Sequence, residues 1–191
     1  MTRSWSIVVI AAVAMVVAGC GQGAGEGPSG PKPPDSTLTL GNRSVSGVLG
    51  SYCWTSPSGA TCADAAGIPV PPEEEALAVP AGSVMVFDFG GSRRPTSVKA
   101  VAYPLGRGNE LSGRRRGGFV VPSEGRSALT TEDLKVRREG ARTEIPAELP
   151  VGEYVVELFV RVTRGNDATY YFRVAVEGNA GKLPDHGDPE Y

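Results

Sequence analysis

The chain has 191 residues, with 19 Lys and Arg against 21 Asp and Glu, one His and three Cys. A net charge of -2 provides no global field for a polyanion, so nucleic acid is not an expected partner, and any anionic partner must meet a local patch. One His and three Cys are too few for a His and Cys metal cluster, and no phosphate-cradling Gly loop or Gly-x-Ser-x-Gly elbow occurs, so neither metal nor cofactor is expected.

Arg3 precedes an apolar run from Trp5 to Ala18 in which Ser6 is almost the one polar residue. About 14 residues are too few to span a bilayer and suit the apolar region of a signal peptide. Val17-Ala18-Gly19-Cys20, followed by Gly21, resembles a bacterial lipobox. The resemblance implies that residues 1–19 are a lipoprotein signal peptide, cut before Cys20, whose thiol then carries diacylglycerol. An ordinary signal peptide with an incidental Cys20 is the plainer alternative. The lipobox reading anchors the chain by acyl groups to the extracytoplasmic face of the bacterial cell membrane. Loss of residues 1–19 removes one charge, Arg3, and takes the net charge from -2 to -3. Residues 20–36 are mostly Gly, Pro and Ser and are expected to form a disordered tether.

The folded domain is expected over residues 37–177. Thr37 to Leu40 alternates as a strand, Gly41-Asn42 turns, and Val45 to Leu49 reads as a second strand. Gly50-Ser51-Tyr52-Cys53-Trp54 follows, with a Pro and Gly loop leading to Cys62-Ala63-Asp64. With Cys20 assigned to lipid, Cys53 and Cys62 form an even pair and are expected to be bonded outside the cytoplasm. Gly-Ser-Tyr-Cys-Trp with Cys-Ala-Asp resembles a motif of small uncharacterised bacterial lipoproteins; it implies a secreted β domain and no catalytic residue. Trp54 reads either as packing over the disulfide or as a candidate binding residue. Ala76 to Val79 suggests an edge strand and Ser83 to Phe89 a central one, in which an inward Asp88 would need a partner.

Thr96 to Pro104 reads as a strand with Val98, Ala100 and Ala102 on one side. The Gly-rich and Arg-rich stretch Leu105 to Gly118 reads as a loop, and Arg107, Arg114, Arg115 and Arg116 make it the most basic part of the chain. Phe119 to Val121, Ser127 to Thr130 and Leu134 to Arg138 are short strand candidates, and Thr131-Glu132-Asp133 is a candidate helix cap. In Glu153 to Arg164 and Tyr170 to Glu177, alternation marks a hairpin with one buried face, turned at Arg164 to Asp167. Leu149-Pro150-Val151-Gly152-Glu153-Tyr154 resembles the entry to the penultimate strand of immunoglobulin-like and fibronectin-like sandwiches, which implies that Tyr154 bonds back to the loop. The expected fold is all-β, a single β-sandwich of that kind. A polar, disordered tail over residues 178–191 holds His186, the one His.

Two function classes follow. One is a non-catalytic binding or structural module at the cell envelope, held by its lipid anchor and contacting anionic envelope lipid, polymer or another envelope protein. Its candidate residues are Arg107, Arg114, Arg115, Arg116 and Trp54. The other is a hydrolytic envelope enzyme using carboxylates such as Asp64, Asp88 and Glu110, for which sequence spacing offers no pairing. The first is the expectation, and no residue is assigned a catalytic role.

Overall fold

A computed structural model describes residues 30–105, 113–116, 118–122, 131–140, 142–162 and 165–178. The expected signal peptide, Cys20, Arg107, Glu110, the strand over Ser127 to Thr130, His186 and the tail from residue 179 lie outside the described residues. Two antiparallel sheets pack as a sandwich. Their frame is β1 (Thr37–Leu40), β7 (Val84–Asp88), β13 (Arg142–Pro146) and β12 (Arg137–Glu139) in one sheet, in the spatial order β12-β13-β7-β1. The facing sheet contains β8 (Pro95–Leu105), β14 (Gly152–Val162) and β15 (Asp167–Glu177) in that order. These are the A-B-E-D and C-F-G orders of an immunoglobulin-type sandwich.

Alternation produces the interior directly. Tyr154, Val156, Leu158 and Val160 of β14 and Tyr170, Phe172, Val174 and Val176 of β15 all point inward and are buried. Opposite them lie Leu38, Met85, Phe87 and Ile145, with Phe87 packed against the rings of Tyr170 and Phe172. The hydroxyl of Tyr154 donates to the carbonyl of Pro150 at 2.9 Å, closing the turn before β14 as its sequence context implies.

Two stretches elaborate this frame. Between β1 and β7, β2 (Arg43–Ser46) extends the first sheet beside β1. The hairpin β3 (Val48–Ser56) and β4 (Gly59–Ala63) extends the second beyond β15, and β6 (Leu77–Pro80) pairs parallel with the far half of β15. A third layer of β5 (Ile68–Pro69), β10 (Phe119–Pro122) and β9 (Gly113–Arg116) lies over the outer face of the second sheet. There Ile68 joins Tyr103, Val155 and Tyr171 in a separate apolar cluster. Pro69 sits in an edge strand, where its missing N–H leaves no gap in a ladder.

Several sequence expectations are corrected. The strand expected over Val45 to Leu49 breaks at Gly47, where the chain crosses between sheets; a Cβ there would lie 2.7 Å from the Phe172 ring. The stretch read as a loop before Cys62 contains strand β4. Thr131 to Asp133 caps no helix, because β11 (Glu132–Leu134) pairs with β8 from Ala102 to Ala100. Leu134 to Arg138 is not one strand, since the chain leaves β11 for β12 in the other sheet. Within the segment read as an irregular basic loop, Gly113–Arg116 forms β9.

Part of the stretch read as a disordered tether is folded: its described residues, from 30 on, pack against the domain. Pro33 and Ser36 are buried, Tyr170 donates its hydroxyl to the Pro34 carbonyl at 2.6 Å, and Gly47 N–H donates to the Ser36 carbonyl at 2.9 Å. Gly90, at φ +68°, turns so closely beneath this strap that a Cβ would stand 2.2 Å from the Asp35 carbonyl oxygen. Only glycine combines that φ with that approach.

Candidate functional site

Cys53 and Cys62 face each other across the β3–β4 hairpin and are disulfide-bonded, with Cα atoms 4.1 Å apart. Their neighbours on the same strands have opposite fates. Trp54, one position on, points into the core at 9 % exposure, its ring 6.0 Å from that of Phe89. The indole is thus a packing element between the hairpin and the end of β7, and it presents no open face for a ligand to stack on.

Outside the hairpin, Ser51, Cys53, Cys62, Asp64, Phe159 and Asp167 line a groove of about 330 Å³ on the part of the sheet next to the third layer. The Ser51 hydroxyl donates to Asp64 Oδ1 at 2.6 Å and accepts the Ala65 N–H at 3.0 Å. The hydroxyl is engaged both as donor and as acceptor in fixing the bend after β4. Arg161 lies 5.6 Å above the Phe159 ring, a cation over an aromatic face at the groove's edge.

The three arginines of β9 oppose Val121, Val120 and Phe119 in antiparallel register: Arg114 with Val121, Arg115 with Val120, Arg116 with Phe119. β9 ends the order β5-β10-β9 among the described strands, so its other edge has no described ladder partner. A strand holds consecutive residues at about 3.3 Å rise with alternating direction, a more defined display than a loop.

Of the carboxylates considered for hydrolysis, Asp64 and Asp88, the two among the described residues, do not meet. Asp64 follows β4 at the edge of the second sheet, whereas Asp88 closes β7 in the first. Asp88 is exposed, and its Oδ1 accepts the Gly90 N–H at 2.8 Å, so the inward orientation that would require an Arg partner does not arise. Glu73, Glu74 and Glu75 form one exposed 3-10 turn.

Turns gather at the end of the sandwich where β7, β12, β14 and β3 finish. Thr55, Ser56, Pro57, Arg93 and Asn166 line a second hollow there. Asn166 is buried and behaves as one more strand residue: its Oδ1 accepts Thr55 N–H at 3.0 Å and its Nδ2 donates to the Thr55 carbonyl at 3.1 Å. Arg93 and Arg94 are exposed in the β7–β8 turn. The sequence signal for this pair is the Gly90-Gly91 turn just before it.

Ionisation shifts mark packing. Burial, helped by the Asp35 carboxylate, pushes the Tyr170 phenol far above its ordinary range. Burial, with Glu132 adding to it, also raises that of Tyr154. The hydrogen bond and charge of Lys135 lower the Glu148 carboxyl. Among the described residues no group of three or more His, Cys, Asp or Glu is placed to hold a metal ion. No protein-family model, curated protein or solved structure matches the chain.

Proposed function

We propose that the chain is a lipid-anchored extracytoplasmic protein acting as a non-catalytic binding module, with the basic strand β9 as its contact for anionic envelope lipid or polymer. The observation that carries this reading is that Arg114, Arg115 and Arg116 are consecutive residues of a strand that ends the order β5-β10-β9 among the described strands. Guanidinium forks match phosphate and carboxylate geometry, and three arginines in succession suit a surface or polymer more than a small enclosed ligand. Anchoring through Cys20 follows from the lipobox, and the Cys53–Cys62 disulfide agrees with an oxidising compartment.

Each Arg close to a charged surface contributes about 1 kcal/mol, screened as salt shortens the Debye length from about 10 Å at 0.1 M. The chain from Gly21 onward should therefore bind anionic vesicles or anionic wall polymer at low salt. Replacing Arg114, Arg115 and Arg116 together by Ser should weaken that binding by at least about tenfold with an unchanged far-UV circular dichroism spectrum. Equal binding by the two proteins, or none by either, would reject β9 as the contact.

A further inference from the structure

We infer that the domain stands on the membrane with its β7–β8 and β3–β4 turns downward, so that Lys32, Arg93 and Arg94 form a second basic site, for anionic phospholipid headgroups. This orientation rests on the proposed acylation of Cys20, because it follows from where the anchored chain enters the fold.

That entry point is fixed by packing. Gly30 lies against Thr61 of β4, where a Cβ would meet the Thr61 hydroxyl at 2.0 Å. Thr61 pairs with Trp54, and the next residue along, Cys53, pairs with Asp167 at the start of β15, so residue 30 joins at the end where β15 begins. From there the strap runs past Gly91, whose Cβ would stand 3.0 Å from the Pro34 ring, and then past Gly90 into β1. Ten residue steps separate Cys20 from Gly30. Fully extended they reach at most about 35 Å, and as a flexible coil about 17 to 19 Å. The eleven residues of β14 span about 36 Å. The coil dimension is therefore near half the long axis of the domain, and turning the opposite end to the bilayer would demand an almost fully stretched connection.

Unpaired cations lie on the same side. Lys32, Arg93 and Arg94 are exposed at the entry end and form no ion pair among the described residues. Arg138 and Arg142 belong to this end too, the first donating to the carbonyls of Pro95 and Thr96, the second lying 3.1 Å from Glu144. Asp35, Asp88, Glu139, Glu144 and Asp167 are its acidic groups, of which Glu144 is paired with Arg142 and Asp88 is engaged with Gly90 N–H. At the opposite end the named charges offset one another: Glu148 and Glu153 are paired with Lys135 and Arg173, and Glu177 is matched in number by Arg43.

Hydrogen–deuterium exchange on the anchored chain reads the orientation. The chain of residues 20–191 is coupled through Cys20 to a maleimide phospholipid in vesicles of phosphatidylcholine with or without phosphatidylglycerol. Coupling is specific because the other two Cys are disulfide-bonded. With phosphatidylglycerol at low salt, amides of residues 89–94 and 56–59 should exchange about fivefold or more slowly than in the free protein, while those of 81–83 and 148–151 keep their rates. Replacing Lys32, Arg93 and Arg94 by Ser, or omitting phosphatidylglycerol, should remove the slowing. Equal slowing at both ends, slowing confined to 148–151, or none at all would overturn the orientation. Native protein isolated from membranes without an acyl group would overturn the lipidation reading alone, since the coupled protein still reports how this tether length and charge pattern orient the fold.

Discussion

Tyr170 links the strap to the sandwich core, and its hydroxyl bond to Pro34 gives a measurable handle on that link. Tyr170→Phe should lower stability by about 1 kcal/mol through loss of this bond. The folded protein also holds the phenolic proton to higher pH than the unfolded chain, whose tyrosines ionise near pH 10. The stabilising difference is complete below about pH 10 and declines as pH rises above it toward the raised folded value. Urea midpoints measured at about pH 8 and about pH 10.5 should fall steeply in the parent protein and less steeply in Tyr170→Phe; parallel declines would show that Tyr170 carries none of the effect. What sequence reveals at this scale depends on range. The Tyr154 bond to Pro150 spans four residues and was legible from Leu149-Pro150-Val151-Gly152-Glu153-Tyr154. Asn166 grips Thr55 across 111 residues, and no local pattern reports a side-chain amide standing in for backbone.

The β3–β4 hairpin is held by ladder hydrogen bonds on one side, by β15 on the other, and by the disulfide across it. A sequence separation of 9 gives a small closed loop, for which the chain-entropy account assigns about 2 to 3 kcal/mol. Reduction with alkylation should lower the unfolding free energy by about that amount while the β14–β15 hairpin stays folded in the native baseline; an unchanged denaturation midpoint would remove the disulfide from the account. Strands with strict alternation were legible in sequence: β8, β14 and β15 bury the faces their patterns assign. Their neighbours were less so. β4 and β9 carry Gly, Thr or Arg in place of an apolar stripe, and they are strands because an adjacent strand offers a ladder. Propensity yields there to tertiary pairing. The chain switches between sheets at Gly47 and after Leu134 for a related reason, since both sheets share one core and Val45, Leu49 and Val136 around the breaks are partly buried against it.

At the scale of the whole molecule, a sandwich of immunoglobulin-type strand order carries additions that divide its surface. One end holds the tether entry with Lys32, Arg93 and Arg94, and the outer face of the second sheet holds a third layer edged by the arginines of β9. The sandwich was legible in sequence because two-residue alternation and one Tyr turn specify it. The third layer was not, because β5 and β10 come from stretches about fifty residues apart and pair over only two positions. Nor was the strap, since Gly, Pro and Ser read as unstructured until a groove is present to receive them. The functional proposal for both basic surfaces depends on one covalent fact, the anchor at Cys20. Intact-mass and N-terminal peptide mass spectrometry of the protein isolated from its own membranes measures it directly. The account predicts a chain that begins at Cys20 and carries diacylglycerol on that sulfur; a chain that retains residues 1–19, or a Cys20 with an unmodified thiol, would contradict it.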